Sequence, residues 1–274
     1  MTSSRTIIKP ETGWLRINLR ELFEYRELIA LLAWRDIMAQ YKQAVFGVAW
    51  AVARPLFSVL VYTLIFGKVA KLSSSGVPYP LFTLCGLAAW SFFSTTLAQS
   101  TVSLLGNTNL ITKVYFPRLA VPLASLGRGT VDLVISFLLL GIVMACYRFL
   151  PSPNALFLPL FLLTGLAITL GIGLFFSALS VRYHDLRHAI PFLNQLWFWM
   201  TPVAYGLENV PENLRFLFLL NPMTWVVQGF RWCLLGVGGM DWTGLGVTAV
   251  FAVLVLLGGL FYFRRMESGF ADII

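Results

Sequence analysis

The sequence predicts an all-α integral membrane protein: six transmembrane helices, an N-terminal amphipathic interfacial helix, and a re-entrant helical pair on the outer face. Three observations predict it. Hydrophobic residues make up 58% of the chain and charged residues only 12%, against about 25% charged in a soluble domain. A water-soluble fold would have too little polar surface to cover that core. The apolar residues also come in continuous runs of span length, about 20 residues, not in the alternation of a membrane barrel. Finally, the charges collect at the ends of those runs, so the formal net charge of +8 reads as membrane topology and not as nucleic-acid binding.

Residues 1–44 form the first unit. They hold seven Lys/Arg and no apolar signal core, so a cleaved leader is not expected. Within them, "RELFEYRELIALLAWRDIMAQYKQ" (20–43) reads as an interfacial helix. At helical spacing Phe23, Ala30, Trp34, Ile37 and Tyr41 fall on one side, and Arg20, Glu24, Glu27, Arg35 and Lys42 opposite. Leu28 and Leu31 intrude on the charged side and Arg26 on the apolar one. Apolar residues on the wet face point to a protein partner as well as to headgroups.

Six runs within 45–263 read as spans. Residues 45–67 are broken only by Arg54, which precedes Pro55 and either snorkels to the headgroups or faces a polar passage. Residues 79–105 lie in the charge-free window between Lys71 and Lys113. Residues 119–147 carry Arg128 and Asp132, one turn apart. These read as a structural ion pair, because a proton relay needs more titratable groups. Residues 154–181 are charge-free, 189–207 are short and charge-free, and 242–263 are bounded by Asp241 and Arg264-Arg265. A tail, 264–274, follows.

The cations set the orientation. With both termini in the cytosol, the inside segments 1–44, 106–118, 182–188 and 264–274 carry thirteen Lys/Arg; the outside segments 68–78, 148–153 and 208–241 carry five. This puts "NLITKVYFPRLAVP" (109–122) in a cytosolic elbow. There Lys113 and Arg118 are positive-inside anchors, Tyr115 and Phe116 lie at headgroup depth, and Pro117 and Pro122 set the angle of the next span. The second cytosolic elbow, "RYHDLRH" (182–188), is short and charged, and reads as a docking tip. His184 and His188 are at i, i+4, but a zinc site needs further ligands that the sequence does not offer. On the outer side, two apolar runs at 214–220 and 223–235 flank Asn221-Pro222; each is too short to span, and together they read as a re-entrant lid.

Known chemistry is sparse. The chain has no phosphate-binding loop, no Gly-x-Ser-x-Gly, no His-Glu-x-x-His and no carboxylate cluster. Cys85, Cys146 and Cys233 are scattered in apolar surroundings, which argues against a disulfide framework and against a metal site. Aromatic residues make up 15% of the chain, and three groups of them stand out by placement. Trp50 and Phe57 bracket Arg54 on one face of the first span, Tyr62 and Phe66 lie one turn apart nearer its outer end, and Trp90 and Phe93 share a face of the second with Gly86. Each group is a candidate passage lining, with lipid-facing or interhelical packing as the alternative.

The segments "RDIMAQYKQAVFGVAWAVARPLF", "PLFTLCGLAAWSFFS", "GNTNLITKVYFPRLAVPLAS", "LNPMTWVVQGFRWCLLG" and "FRRMESGFADII" run through nearly the whole chain. In that order they resemble the transmembrane subunit of polysaccharide ABC exporters, the type 2 ABC permeases of O-antigen, capsule and teichoic acid. Arg54 departs from the pattern, in which an uncharged polar residue more often precedes the proline. The resemblance implies an enzymatically inactive permease in the bacterial inner membrane. It would pair with a second copy of itself and with two ATP-binding cassette chains that bind ATP and Mg and hydrolyse the nucleotide. It further implies that the N-terminal helix and elbows meet the ATPase, with Glu24, Arg35, Lys113, Tyr115, Arg118, His184, Asp185 and Arg187 as coupling candidates. The periplasmic helical pair would gate the exit through Leu214, Asn221, Pro222, Trp225 and Arg231. The implied substrate is a lipid-linked glycan, O-antigen foremost. Rival readings are an exporter of drugs or small lipids, and a flippase that works without an ATPase.

Overall fold

The computed structural model describes residues 19–42, 49–267 and 269–270, which form helices and turns without a strand. The expectations for 1–18, 45–48 and the last residues of the tail lie outside the described residues. In chain order the helices are α1 (Leu19–Glu24), α2 (Arg26–Lys42), α3 (Ala49–Tyr62), α4 (Tyr79–Gly106), α5 (Thr108–Lys113), α6 (Ala120–Cys146), α7 (Leu158–Arg182), α8 (Leu186–Trp199), α9 (Glu212–Leu219), α10 (Pro222–Leu235) and α11 (Trp242–Glu267). A π-helical stretch, Thr63–Val69, continues α3, and a 3-10 turn, Pro153–Phe157, leads into α7.

Five of these helices, with their extensions, are long and apolar enough to cross a membrane: Ala49–Val69, Tyr79–Gly106, Ala120–Cys146, Pro153–Arg182 and Trp242–Glu267. Their burial ranks them. The most apolar stretch of α4 is 72% buried and packs against α6, α7, α8 and α10, whereas that of α3 is only 6% buried. So α4 is the hub and α3 stands at the rim. Small residues let the backbones approach, as membrane helix packing requires. A Cβ on Gly259 would fall 2.0 Å from Gly171 O where α7 crosses α11. On α6, a Cβ on Gly127 would fall 2.7 Å from Ala33 Cβ of α2, and one on Gly129 would fall 2.0 Å from Thr96 Oγ1 of α4.

The segment expected as a helix over 189–207 differs. Helix α8 ends at Trp199, about 20 Å after it starts at 1.5 Å per residue, and 200–206 leave helical geometry. Pro202 explains the stop: its ring clashes with a carbonyl of the preceding turn, and it disfavours helical geometry at Thr201. Even so, 186–206 connect the two ends of the bundle.

Those ends are distinct. At one, Leu32 of α2, Leu104 of α4, Ile111 of α5, Phe116, Ala120 of α6, Val181 of α7 and Phe263 of α11 share a buried cluster with Phe270. This basic end gathers the N-terminal helices, both elbows and the tail. At the far end Ser75 Oγ donates to Glu208 Oε1 (2.8 Å), Asn209 Nδ2 donates to Ser73 O (3.2 Å) and Ser152 N donates to Leu234 O (3.1 Å). Segments that the cation count assigns to opposite sides therefore lie at opposite ends.

Candidate functional site

A cavity of about 770 Å³ opens between α3, α4 and α6. The rim helix α3 contributes Trp50, Arg54, Phe57 and Ser58; α4 contributes Trp90, Ser91, Ser94 and Thr95; α6 contributes Arg128, Asp132 and Ser136; α2 closes the basic end with Gln40. The lining is amphipathic: two indoles and a phenyl ring beside two guanidinium groups, one carboxylate and several hydroxyls. Arg54 lies about 8 Å past the start of α3 and Arg128 about 12 Å past the start of α6 at 1.5 Å per residue, so both cations lie nearer the basic end. Among the described residues, Arg128 Nε is buried without a hydrogen-bond partner, and so is Gln40 Oε1. An unpaired buried donor or acceptor costs about 1–3 kcal/mol.

Of the residues singled out as passage lining, Trp50, Arg54, Phe57 and Trp90 meet here. Arg128 and Asp132 stand on the same wall, which the sequence did not connect with Arg54. The other three aromatics are placed elsewhere. Phe93 is fully buried and packs edge-on against Trp197, with centroids 4.9 Å apart. Tyr62 stacks on Phe198 at 5.8 Å, and Phe66 lies 6.4 Å from Tyr205. They hold α3 and α4 to the α8 segment. The spacing of Trp90 and Phe93 put both on one face, and their rings do meet, with centroids 5.3 Å apart; α8 packs against both, through Phe198 on Trp90 and Trp197 on Phe93, and only Trp90 reaches the cavity.

At the basic end the N-terminal helix docks through a different stripe from the apolar side that helical spacing singled out. Phe23 and Trp34, on that apolar side, are 67% and 60% exposed. The docked stripe is Tyr25, Leu28, Ile29, Leu32 and Ala33, which includes one of the supposed intruders. The helix has two apolar stripes, and Gly127 of α6 admits the one carrying the small Ala33. Glu24 pairs with Arg20 on the surface (3.4 Å). Arg35 bonds Asp36 (2.7 Å) and donates to Asn107 Oδ1 (2.8 Å), tying α2 to the first elbow.

In that elbow Phe116 is 5% exposed, so it is a core residue and not part of a headgroup belt, while Tyr115 is exposed. Lys113 ends α5. Arg118 donates to Glu267 O, its backbone N–H donates to Glu267 Oε1 (3.3 Å), and its guanidinium lies 5.9 Å from the Phe270 ring centroid. In the second elbow His184, Asp185 and Arg187 are exposed, with Arg187 Nε donating to His188 Nε2 (3.0 Å).

At the far end Asn221 is buried. Its Oδ1 accepts from Trp197 Nε1 (2.9 Å) and caps α10 through Met223 N (3.1 Å), and its Nδ2 donates to Met200 O (3.0 Å) and Thr201 Oγ1 (2.8 Å). Pro222 then occupies the first turn of α10, where its missing N–H costs nothing. Trp225 Nε1 donates to Leu219 O (3.0 Å). Arg231 is 3% exposed: Nε donates to Phe82 O, and the two terminal nitrogens donate to Pro202 O, Tyr205 O and Val203 O. The last three are carbonyls that the break after α8 leaves open. Leu214, on α9, is half exposed. So α10 is clamped to the bundle and α9 rests on its surface.

A family model described as ABC-2 type transporter matches residues 27–235, from the interfacial helix to the end of α10. The chain belongs to the ABC-2 type transporter family. Within it, the chain is similar over nearly its full length to proteins named as permeases or transport proteins. It is 29% identical to the O-antigen export system permease protein RfbA of Myxococcus xanthus, over 93% of this chain and 98% of that one. It is 26% identical to the protein of that name from Klebsiella pneumoniae (95% and 98% covered). To the polysialic acid transport protein KpsM of Escherichia coli it is 24% identical (91% and 97%). The cavity between α3, α4 and α6 and both elbows fall inside the part that defines this transporter family.

Proposed function

We propose that this chain is the permease subunit of an ATP-driven exporter that moves a lipid-linked polysaccharide, O-antigen foremost, from the cytosol across the bacterial inner membrane. The full-length likeness to O-antigen export permeases carries this reading, and the amphipathic cavity is its structural support. Two copies of the chain and two ATP-binding cassette subunits form the transporter; ATP and Mg are bound by those subunits. The chain crosses the membrane six times, with α8 and the stretch after it as the broken fifth crossing, and both termini are cytosolic. The separation of the two ends of the bundle supports that count. Glu24, Arg35, Lys113, Tyr115, Arg118, His184, Asp185 and Arg187 form the face toward the ATPase. Residues 208–238 form a re-entrant outer gate, in which Asn221, Pro222, Trp225 and Arg231 make the fixed frame and α9, with Leu214, makes the moving part.

The test is genetic and biochemical together. The chain co-purifies with the ATPase encoded beside it, and a strain lacking the chain accumulates lipid-linked glycan in the cytosol. Accumulation of a drug or small lipid in place of glycan would overturn the substrate; undiminished transport without an ATPase would overturn the mechanism.

A further inference from the structure

We infer that the cavity between α3, α4 and α6 is a binding site for the glycosyl diphosphate head of the lipid carrier, the diphosphate together with the first sugar attached to it. The inference rests on the exporter reading for its carrier, and on the cavity for everything else.

Charge points first to an anion. Among the described residues, Arg54 and Arg128 face the space with Asp132 as the single acidic lining residue, so the formal charges of the described lining leave an excess of one cation. Guanidinium groups within an apolar helix bundle are expensive, and a phosphate group is the ligand their planar forks suit best. Arg54 is exposed at the rim and Arg128 partly buried within, so two cations at different depths meet a ligand with two linked phosphates.

The unsatisfied atoms then extend the ligand. Among the described residues Arg128 Nε is a buried donor that lacks an acceptor, which a phosphate oxygen supplies. Gln40 Oε1 is a buried acceptor that lacks a donor, and an ionised diphosphate has none to give. A sugar hydroxyl does. The indole of Trp50 on the same lining is 52% exposed and offers a flat face to the C–H side of a sugar ring, with the buried Trp90 behind it in the wall. A diphosphate alone leaves Gln40 unanswered, and a sugar alone leaves the cation excess unanswered; the glycosyl diphosphate answers both. Position agrees: both arginines lie within about 12 Å of the helix starts at the basic end, the end from which a carrier headgroup on the cytosolic side would enter. The rim helix α3 is nearly uncovered in one chain, so a polyprenyl tail can remain in the bilayer while its head enters.

The experiment measures equilibrium binding to the full chain in phosphatidylcholine nanodiscs. The probes are polyprenyl diphosphate, polyprenyl diphospho-glucose and phosphatidylglycerol. Both diphosphates bind at least about tenfold tighter than phosphatidylglycerol, because a single phosphodiester meets only one of the two arginines. Arg54→Gln weakens both diphosphates about tenfold or more; its exposed position keeps it free of folding effects. Arg128→Gln does the same, and Arg128→Lys recovers part of the loss. Gln40→Met weakens the sugar-bearing probe and leaves bare polyprenyl diphosphate unchanged, a split that a merely structural Gln40 would not produce. Equal binding of phosphatidylglycerol, or unchanged binding in Arg54→Gln, overturns the site. Those results leave the exporter reading standing; that reading falls separately if the wild-type gene fails to restore glycan export to the deletion strain.

Discussion

Arg231 illustrates how one side chain holds a membrane fold together. A guanidinium without a salt-bridged carboxylate among the described residues should be costly in an apolar bundle, yet its donors meet four backbone carbonyls, and its Cζ lies 3.6 Å from the Phe82 ring centroid. Three of those carbonyls belong to the stretch after α8 that lacks helical partners. The arginine and the broken segment therefore stabilise each other. A lysine at this position would be a compact point charge with three donors and could not reach all four. We predict that Arg231→Ala destabilises the chain by about 3 kcal/mol or more, read as thermal unfolding in detergent. Gly86→Ala should do so too, because its Cβ would lie 2.8 Å from Arg231 Nη2 and 2.6 Å from Val203 O. Wild-type melting of either variant would show that the clamp is dispensable. None of this was legible in the sequence, which places Arg231 in an outer apolar run. Its partner Phe82 is 149 residues away, and no periodicity encodes such a contact. The cavity was half legible: helical spacing grouped Trp50, Arg54 and Phe57 on α3 and paired Arg128 with Asp132 on α6, but only packing brings α3 against α6.

At the scale of elements, hydrophobic length was the reliable signal, and it identified the five long helices because a continuous apolar run has one stable form in a bilayer. Where the run is short, other chemistry decides. Pro202 ends α8 early, and Asn221 with Arg231 satisfies the backbone that the break exposes. Both faces of the N-terminal helix carry apolar residues, so spacing alone did not say which would dock on the bundle; Ala33 against Gly127 selects one by size. The far-end pair divides in the same way. Helix α10 has a side-chain cap, a buried arginine and Gly236 in the left-handed conformation at its end (φ +66°), whereas α9 leaves Phe216, Leu217 and Leu220 exposed. Hydrogen exchange should therefore run at least about tenfold faster at the amides of α9 than at those of α10, since local opening follows buried contact. Equal protection would mean that the pair moves as one body. Asn221→Ala removes a cap and three further side-chain bonds, and should cost about 2 kcal/mol and raise exchange in α10.

Across the whole molecule, the interfacial helices, the first elbow and Phe270 of the tail share one buried cluster with the ends of α4, α6, α7 and α11; the second elbow joins it through Val181 at the end of α7, so a push on either elbow is delivered to those helix ends. The second elbow presents Asp185 and Arg187 outward, where a partner can meet them. Reversing both charges should lower the transport-linked ATPase rate of the assembled complex several-fold while the chain still inserts in the membrane; an unchanged rate removes this elbow from coupling. The central claim is that this chain is the path by which ATP hydrolysis in a partner moves a lipid-linked glycan. The most direct measurement reconstitutes the chain with its ATPase in liposomes bearing lipid-linked glycan on the ATPase side, and follows protection of the glycan from an added glycosidase. The account predicts that protection grows only when ATP, the ATPase and this chain are all present, and slows in the Arg54→Gln variant. Protection that grows without the ATPase, or under a proton gradient alone, would contradict it.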